Sequence, residues 1–204
     1  MYGLPSTLFV NKRLPKEAFY RNASLTAAQK DEFVHGIEKI TMLAAIEPAH
    51  SGIPAAGGVQ EVDVVRVDLK GDDLPEDALR VICSAAHNKV LMVCAREGSV
   101  CLAAMRGRLR VGAWMDEAEL DLTLAGADLA AVWDSLCARV VYGDACGEGL
   151  DERMARDAEI DALAREIGQI NKKRRSERQV AKRNALFQRL RAAQARLAEL
   201  KESC

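Results

Sequence analysis

The hydrophobic and polar positions are unevenly distributed along the chain, and the longest apolar stretch lies between residues 59 and 105. Within this stretch, Lys89–Ala95 and Val100–Met105 are apolar runs of strand length, which is typical of strands covered on both faces. The residues between them, Arg96–Ser99, are polar and include a glycine, so they predict a hairpin turn. We expect these two strands to form the centre of the hydrophobic core.

A third strand of the same core is predicted at Glu61–Lys70. Its apolar residues change face between Val64 and Val65, and this shift by one position predicts a β-bulge. The segment that follows favours a helix, because Pro75 and the two acidic residues after it suit a first helical turn. The apolar residues of that helix share one face, which we expect to lie on the sheet.

Three further helices are predicted in the first 150 residues. A short one is expected over residues 15–20, and a capping-box sequence predicts another over about residues 27–35. The third covers about residues 128–141, where apolar positions recur at helical spacing. Its tryptophan, Trp133, is expected to anchor the helix in the core.

The remaining alternating segments predict strands. Residues 37–46 fit a helix or a strand, and their β-branched residues and alternation favour a strand. Residues 108–114 and 120–124 alternate apolar with polar positions, which indicates two half-exposed strands. Residues 47–58 are rich in proline and glycine and predict a loop.

Together these elements predict an α+β domain over residues 1–143. Its sheet is expected to be mixed or mainly antiparallel, with about five strands and helices packed on it. Residues 144–149 contain two glycines, Gly147 and Gly149, and predict a linker. Residues 150–204 contain no proline and a single glycine after the linker, and they predict a helical arm.

Two apolar seams run through the arm. Ile160, Leu163, Ile167 and Ile170 follow 3-4-3 spacing, and a second seam with 4-3-4-3 spacing begins at Leu186. The seams have different heptad registers and are separated by a polar run. We expect either an antiparallel helical hairpin or one long helix with a break in register.

The charges of the chain are segregated, although the formal net charge is only −1. Residues 1–150 contain 15 basic and 21 acidic residues, whereas residues 151–204 contain 14 basic and 9 acidic residues. A concentrated basic run of this kind can neutralise phosphates without reading sequence, although it can also be a solvated helix face or a surface for an acidic protein. The residues predicted to contact nucleic acid or a partner are Lys172, Lys173, Arg174, Arg175, Arg178, Lys182, Arg183 and Arg189.

The six cysteines are expected to be free thiols. They form no CxxC pair and have no histidine at ligand spacing, so neither a zinc site nor a disulfide framework is predicted. We expect no cofactor. No segment approaches the ~20 apolar residues that span a bilayer, and the N-terminus has no signal pattern, so a cytoplasmic protein without membrane contact is expected.

One pattern in the sequence suggests an enzyme. Asp68 and Lys70 lie two residues apart at the end of a predicted strand, as in Mg²⁺-dependent nucleases of the restriction type. Glu38 or Asp63 would supply the further carboxylate. Because an acid and a lysine at this spacing are common by chance, we treat a nuclease as the alternative and expect a protein without catalytic residues.

The order of several segments resembles an uncharacterised bacterial family, domain of unknown function 4391. The similarity covers nearly the whole chain. The segments that carry it are MYGLP, VNKRLPKEAFY, FVHGIEKITMLAAI, EVDVVRVDLK and, in the arm, ERQVAKRNALFQRLRAAQARLAEL. The resemblance implies association with SNF2-like helicases and DNA methyltransferases of restriction-like anti-phage systems, and it implies no catalytic residue.

Our leading hypothesis is therefore a non-catalytic accessory subunit. The α+β domain would bind a partner protein such as a helicase or a methyltransferase, while the basic arm contacts DNA or that partner. A third hypothesis is a structural module that forms a homo-oligomer through the arm.

Overall fold

A computed structural model of the chain describes residues 1–22 and 25–202, in two compact units, Met1–Glu148 and Gly149–Cys204. The strands of the first unit are β1 (Phe9–Leu14), β2 (Ile37–Ile46), β3 (Val62–Leu69), β4 (Lys89–Arg96), β5 (Ser99–Arg106), β6 (Arg108–Val111) and β7 (Met115–Asp116). Its helices are α1 (Lys16–Asn22), α2 (Ala27–Asp31), α3 (Pro48–Ser51), α4 (Glu76–Ala85) and α5 (Leu129–Tyr142). The second unit consists of α6 (Leu150–Ser176) and α7 (Val180–Glu202).

The strands of the first unit form one mixed sheet. Their order is β1-β2-β3-β4-β5-β6, and β7 pairs with the free half of β5. Only β3 and β4 are parallel among the described strands, because α4 connects them, and the other pairs are antiparallel. The predicted α+β class is confirmed. The sheet has seven strands instead of about five, because β1 and the two-residue β7 lack the apolar alternation that reveals a strand.

Both faces of the central strands are buried. On one face, Val67 of β3 and Met92 of β4 belong to a core that also contains Leu79 of α4. On the other face lie Val64 and Leu91, and α5 contacts this side through β4, β5 and β6. The sheet is therefore the middle layer between helices.

A β-bulge is present opposite the Val64–Val65 step, as predicted, but its extra residue belongs to the neighbouring strand β2 and not to β3. β3 pairs with β4 without interruption, and the register shifts lie between β2 and β3, where Glu38 and Leu43 are the extra residues of β2. The apolar residues of β3 change face for another reason. From Val62 to Val65 every residue is buried, so in this half of the strand both faces require a covered side chain.

The strand predicted at residues 120–124 is wrong. This segment has no strand partner, yet Leu120 and Leu122 are buried, and the Leu122 N–H donates a 2.7 Å hydrogen bond to the Tyr2 carbonyl. One-sided burial of an extended segment therefore produces the same alternation as a strand. The loop predicted at residues 47–58 contains the one-turn helix α3.

The predicted helices are present with adjusted ends. The helix expected over residues 27–35 divides into α2, which has the predicted capping box, and a π-helical turn at Glu32–Gly36. In α5, the Asp128 carboxylate accepts a hydrogen bond from the Ala131 N–H, and Trp133 is buried in the core as predicted.

The second unit is an antiparallel helical hairpin, and a single long helix is excluded. Arg189 of α7 pairs with Glu166 of α6, and Arg196 pairs with Glu159, so residue numbers rise along one helix as they fall along the other. The seam residues Ile170, Leu190 and Leu200 are buried. Of the helices that the structure describes, none is both apolar enough and long enough to cross a membrane.

Truncation of Leu91 to alanine is expected to lower the free energy of unfolding by about 2–5 kcal/mol, because Leu91 is fully buried between the sheet and its helices. Denaturant unfolding followed by circular dichroism measures this change. The matched control is Val10→Ala in β1, where 46% of the side chain is exposed and a change below about 0.5 kcal/mol is expected. Equal losses in the two variants would contradict the assignment of the core.

Candidate functional site

The basic residues of the arm converge where α6 ends and α7 begins. We call residues 171–183 the tip: the last turn of α6, the turn at residues 177–179 and the first turn of α7. Its side chains are exposed apart from a few that are half-buried, such as Arg174. The tip contains one acid, Glu177, and seven cations: Lys172, Lys173, Arg174, Arg175, Arg178, Lys182 and Arg183.

The cations of the tip differ from those lower in the arm because they lack acidic partners. Below the tip, Arg189 lies 2.7 Å from Glu166, and Arg196 lies 2.8 Å from Glu159. For the seven tip cations, by contrast, no ion pair is formed with any carboxylate of residues 1–22 or 25–202. The positive charge of the arm is therefore balanced in its lower part and unbalanced at the tip.

The sequence explains this difference once the two helices are paired. The six acids of α6 all lie between Asp151 and Glu166, so they can face only the part of α7 that begins at about Arg189. From residue 167 to the end of α6 there are basic residues and no acids. The N-terminal turns of α7 are likewise basic. The hairpin thus places two basic segments side by side.

A groove of about 460 Å³ lies between the helices next to the tip. Lys173, Lys182 and Arg189 contribute cations to its lining, and Ala185 and Leu186 contribute apolar surface. Two large apolar side chains nearby are exposed, Val180 at 61% and Phe187 at 42%. The Arg174 guanidinium lies 6.0 Å from the centre of the Phe187 ring, at the outer limit of a cation–π contact.

The structure thus brings together seven of the eight residues predicted to contact nucleic acid or a partner. The eighth, Arg189, lines the groove, but its charge is offset by Glu166. Sequence spacing alone does not reveal this ion pair, because it depends on the register between two helices. The exposed Phe187 is the one aromatic of this surface.

The residues of the alternative nuclease site are only partly assembled. Glu38 and Asp68 line the same pocket of about 340 Å³, at the end of the sheet where β3 and β4 terminate. The Asp68 carboxylate, however, accepts a 2.6 Å hydrogen bond from Arg66, and the Lys70 ammonium donates to the Val34 carbonyl at 2.6 Å.

Asp63 lies too far from this pocket to join it. It is five residues from Asp68 along β3, a separation of about 16 Å at the usual rise of a strand. Because side chains alternate between the two faces of a strand, an odd separation also places Asp63 and Asp68 on opposite faces of the sheet. Over the whole described part of the chain, no group of three or more His, Cys, Asp or Glu side chains is arranged to hold a metal ion.

The pocket is instead dominated by a cluster around Arg66 that the sequence did not reveal. The Arg66 guanidinium donates to Glu117, to Asp68 and to the Tyr2 hydroxyl, the last at 2.6 Å.

These hydrogen bonds shift the pKa values of the cluster. The bond to Glu117 is the main cause that raises the pKa of Arg66. Arg66 in turn lowers the pKa of Glu117. Burial, followed by the hydrogen bond to Glu117, raises the pKa of Tyr2 to about 12. The only sequence signal was an arginine inside an apolar strand.

The described cysteines are all free thiols. Cys94, Cys101 and Cys137 are buried, Cys83 is half-buried and Cys146 is exposed. Cys94 and Cys101 are directly opposite each other on β4 and β5. Cys204 lies outside the described residues. The three buried thiols behave as small hydrophobic side chains of the core.

Replacement of Arg66 by methionine is expected to lower the free energy of unfolding by about 1–3 kcal/mol, because Glu117 and Asp68 would lose their shared cation in a half-buried cluster. Chemical denaturation at pH 7 provides the measurement. Arg80→Met is the matched control, since Arg80 also pairs with two acids but does so on an exposed surface of α4. Similar losses in the two variants would argue against a structural role of the Arg66 cluster.

Asp63 is expected to make stability depend on pH. Burial, and secondarily a hydrogen bond with Glu61, raise the pKa of Asp63 from 3.8 to about 7. Between these two values the folded chain binds the proton more tightly than the unfolded chain, so stability falls as the pH rises from about 4 to about 7. Asp63→Asn is therefore expected to be more stable than the wild type at pH 8 by about 1–3 kcal/mol, and to differ little at pH 4.

Thermal unfolding between pH 4 and pH 8 tests this dependence. The control is Asp73→Asn, which changes an exposed carboxylate in the turn before α4 and should give the same small difference at every pH. A constant difference between Asp63→Asn and the wild type across this range would contradict the prediction.

Comparison with known proteins identifies the family of the chain. The family model described as "Domain of unknown function (DUF4391)" matches residues 2–197, so the chain belongs to that family. No curated protein and no solved structure matches the chain. The family resemblance seen in the sequence is thereby confirmed.

Proposed function

We propose that this chain is a non-catalytic accessory subunit of a bacterial DNA-related defence system, and that its tip contacts the phosphates of nucleic acid. The observation that carries the proposal is the group of seven tip cations without acidic partners in the described chain. Cations that are already paired gain little from a phosphate, whereas unpaired cations release the counterions of the nucleic acid on binding.

The arrangement of the tip favours contact with the sugar-phosphate backbone. Its cations come from both helices and from the turn between them, so they can reach phosphates on either side of the hairpin. Successive aromatic side chains that would stack on unpaired bases are absent from the described part of the tip, and Phe187 is the one ring nearby. Binding of this kind depends strongly on salt and weakly on sequence.

The rest of the proposal concerns the partner. The first 150 residues carry 21 acidic and 15 basic residues, so this part of the chain is unsuited to nucleic acid and suited to a protein partner. The family resemblance implies a helicase or a DNA methyltransferase as that partner. We expect the α+β domain to bind it while the tip contacts the nucleic acid.

Duplex DNA binding measured against salt tests the role of the tip. If all seven cations contact phosphates, the logarithm of the binding constant should fall with the logarithm of salt with a slope of about −6. Changing Lys172, Lys173, Arg174 and Arg175 to alanine should reduce the slope to about −3, because four contacts are lost.

A charge-matched control separates the tip from the charge of the whole arm. The control changes Arg165, Arg191, Arg196 and Lys201 to alanine, which removes four exposed cations below the tip. It should leave the slope nearly unchanged, with helicity checked by circular dichroism and oligomeric state by sedimentation for each variant. Equal losses of slope in both variants, or no binding by the wild type at low salt, would overturn the proposal.

A Mg²⁺-dependent nuclease is the second candidate, since Glu38 and Asp68 do line one pocket and Lys70 follows two residues later. The Arg66 guanidinium bound to Asp68 argues against it, because a metal ion would have to displace that cation. Cleavage of duplex or single-stranded DNA with Mg²⁺ that is abolished by Asp68→Ala would establish this candidate. Cleavage that persists in Asp68→Ala would remove it.

A further inference from the structure

Phe187 is an aromatic side chain that the fold leaves in contact with solvent, one turn of α7 beyond the tip. It is 42% exposed, whereas the other aromatic side chains whose surroundings the structure describes are buried or half-buried. A single exposed apolar side chain needs no explanation in itself. The neighbours of the ring therefore decide what it can bind.

Those neighbours are cations and a second exposed apolar side chain. Val180 and Arg183 precede Phe187 on α7 by seven and four residues, so the three side chains share one face of the helix. Val180 is 61% exposed. From α6, the Arg174 guanidinium lies 6.0 Å from the centre of the Phe187 ring. Both arginines belong to the tip cations that have no acidic partner in the described chain.

An aromatic ring beside unpaired cations offers two different contacts to a nucleic acid. The cations attract phosphates of any nucleic acid, paired or unpaired. The ring can stack on a base, and stacking tolerates any sequence because every base has a flat π face. Bases inside a duplex already stack on their neighbours, so they are not free to stack on a side chain. Phe187 therefore adds to the tip a contact that an unpaired base can make.

We propose that the tip recognises nucleic acid that carries an unpaired base, which stacks on Phe187 while Arg174 and Arg183 hold the adjacent phosphates. The inference rests on the proposed function, because it names the form of nucleic acid that the same surface prefers. One ring accommodates one base, so a short unpaired segment at the end of a duplex is sufficient for the preference.

Three DNA ligands test this preference with the full chain: a blunt duplex, the same duplex with a short 3′ overhang, and the overhang duplex with abasic sites in place of its unpaired nucleotides. The abasic overhang keeps the phosphates and removes the bases that could stack. At one fixed salt concentration, fluorescence anisotropy should show that the wild type binds the intact overhang about tenfold more tightly than the abasic one. Fluorescence of 2-aminopurine placed in the overhang should fall on binding, because its base becomes stacked.

Variants of the ring separate stacking from the attraction of phosphates. Phe187→Leu should remove the tenfold difference and keep the salt dependence of binding, because leucine is apolar and favours a helix but has no aromatic face. Phe187→Trp should retain the difference. Val180→Ala is the matched control, since it truncates an exposed apolar side chain on the same face of α7 and should leave the difference unchanged. Circular dichroism verifies the helicity of each variant.

The possible failures of the inference and of the proposed function are distinguishable. Equal binding of the two overhangs by the wild type, together with a steep salt slope, would overturn the inference and leave the proposed function standing. A tenfold difference that persists in Phe187→Leu would also overturn the inference. No binding of any DNA at low salt would overturn both. If Phe187→Leu instead abolishes self-association in sedimentation and leaves the DNA preference unchanged, the ring belongs to a contact between copies of the chain and the inference is wrong.

Discussion

The parallel pairing of β3 with β4 is the constraint on which the first unit depends. Parallel neighbours need a connection that leaves the sheet and returns, and here α4 supplies it and covers one face. The other face is then left to α5, which comes more than thirty residues after β4. Because both faces are covered, the central strands can consist almost entirely of apolar residues. A polar group inside β3 must then find partners in other parts of the chain, and Arg66 finds them in Tyr2 and Glu117.

The two regions with charged residues differ in how far they are neutralised. In the Arg66 cluster, one guanidinium is shared by two carboxylates and a hydroxyl, so little charge is left for a ligand. At the tip, seven cations share a small exposed surface without an acidic partner in the described chain. Mutual repulsion of these cations costs stability, which is tolerable because water screens exposed charges. Contact with phosphates, as proposed for the tip, would relieve this repulsion.

The sequence predicts the centre of the fold better than its edges. Strands β4 and β5 were recognisable because burial on both faces makes them continuously apolar. Strand β1 was not, because its four inner residues are exposed and its pairing with β2 is interrupted by a bulge. The false strand at residues 120–124 shows the reverse error, since Leu120 and Leu122 alternate without a hydrogen-bonded neighbour. Alternation reports which side of a segment is buried, and hydrogen bonding to a partner strand is a separate property.

The same distinction applies to the candidate sites. The basic run of the arm could be predicted because charge is local in sequence, and the hairpin could be proposed from its two apolar seams. Neutralisation of Arg189 by Glu166, and of Arg66 by Glu117 at a separation of 51 residues, depends on how distant segments meet. Asp63 is a further case, because its sequence context is an ordinary alternating strand and only its burial beside Glu61 and Asn88 makes it unusual. The chemical role of a charged residue therefore depends on the partners that the fold brings to it. In this chain, the tip cations lack acidic partners among the described residues, and one oxygen of the Asp63 carboxyl group lacks a hydrogen-bond partner there.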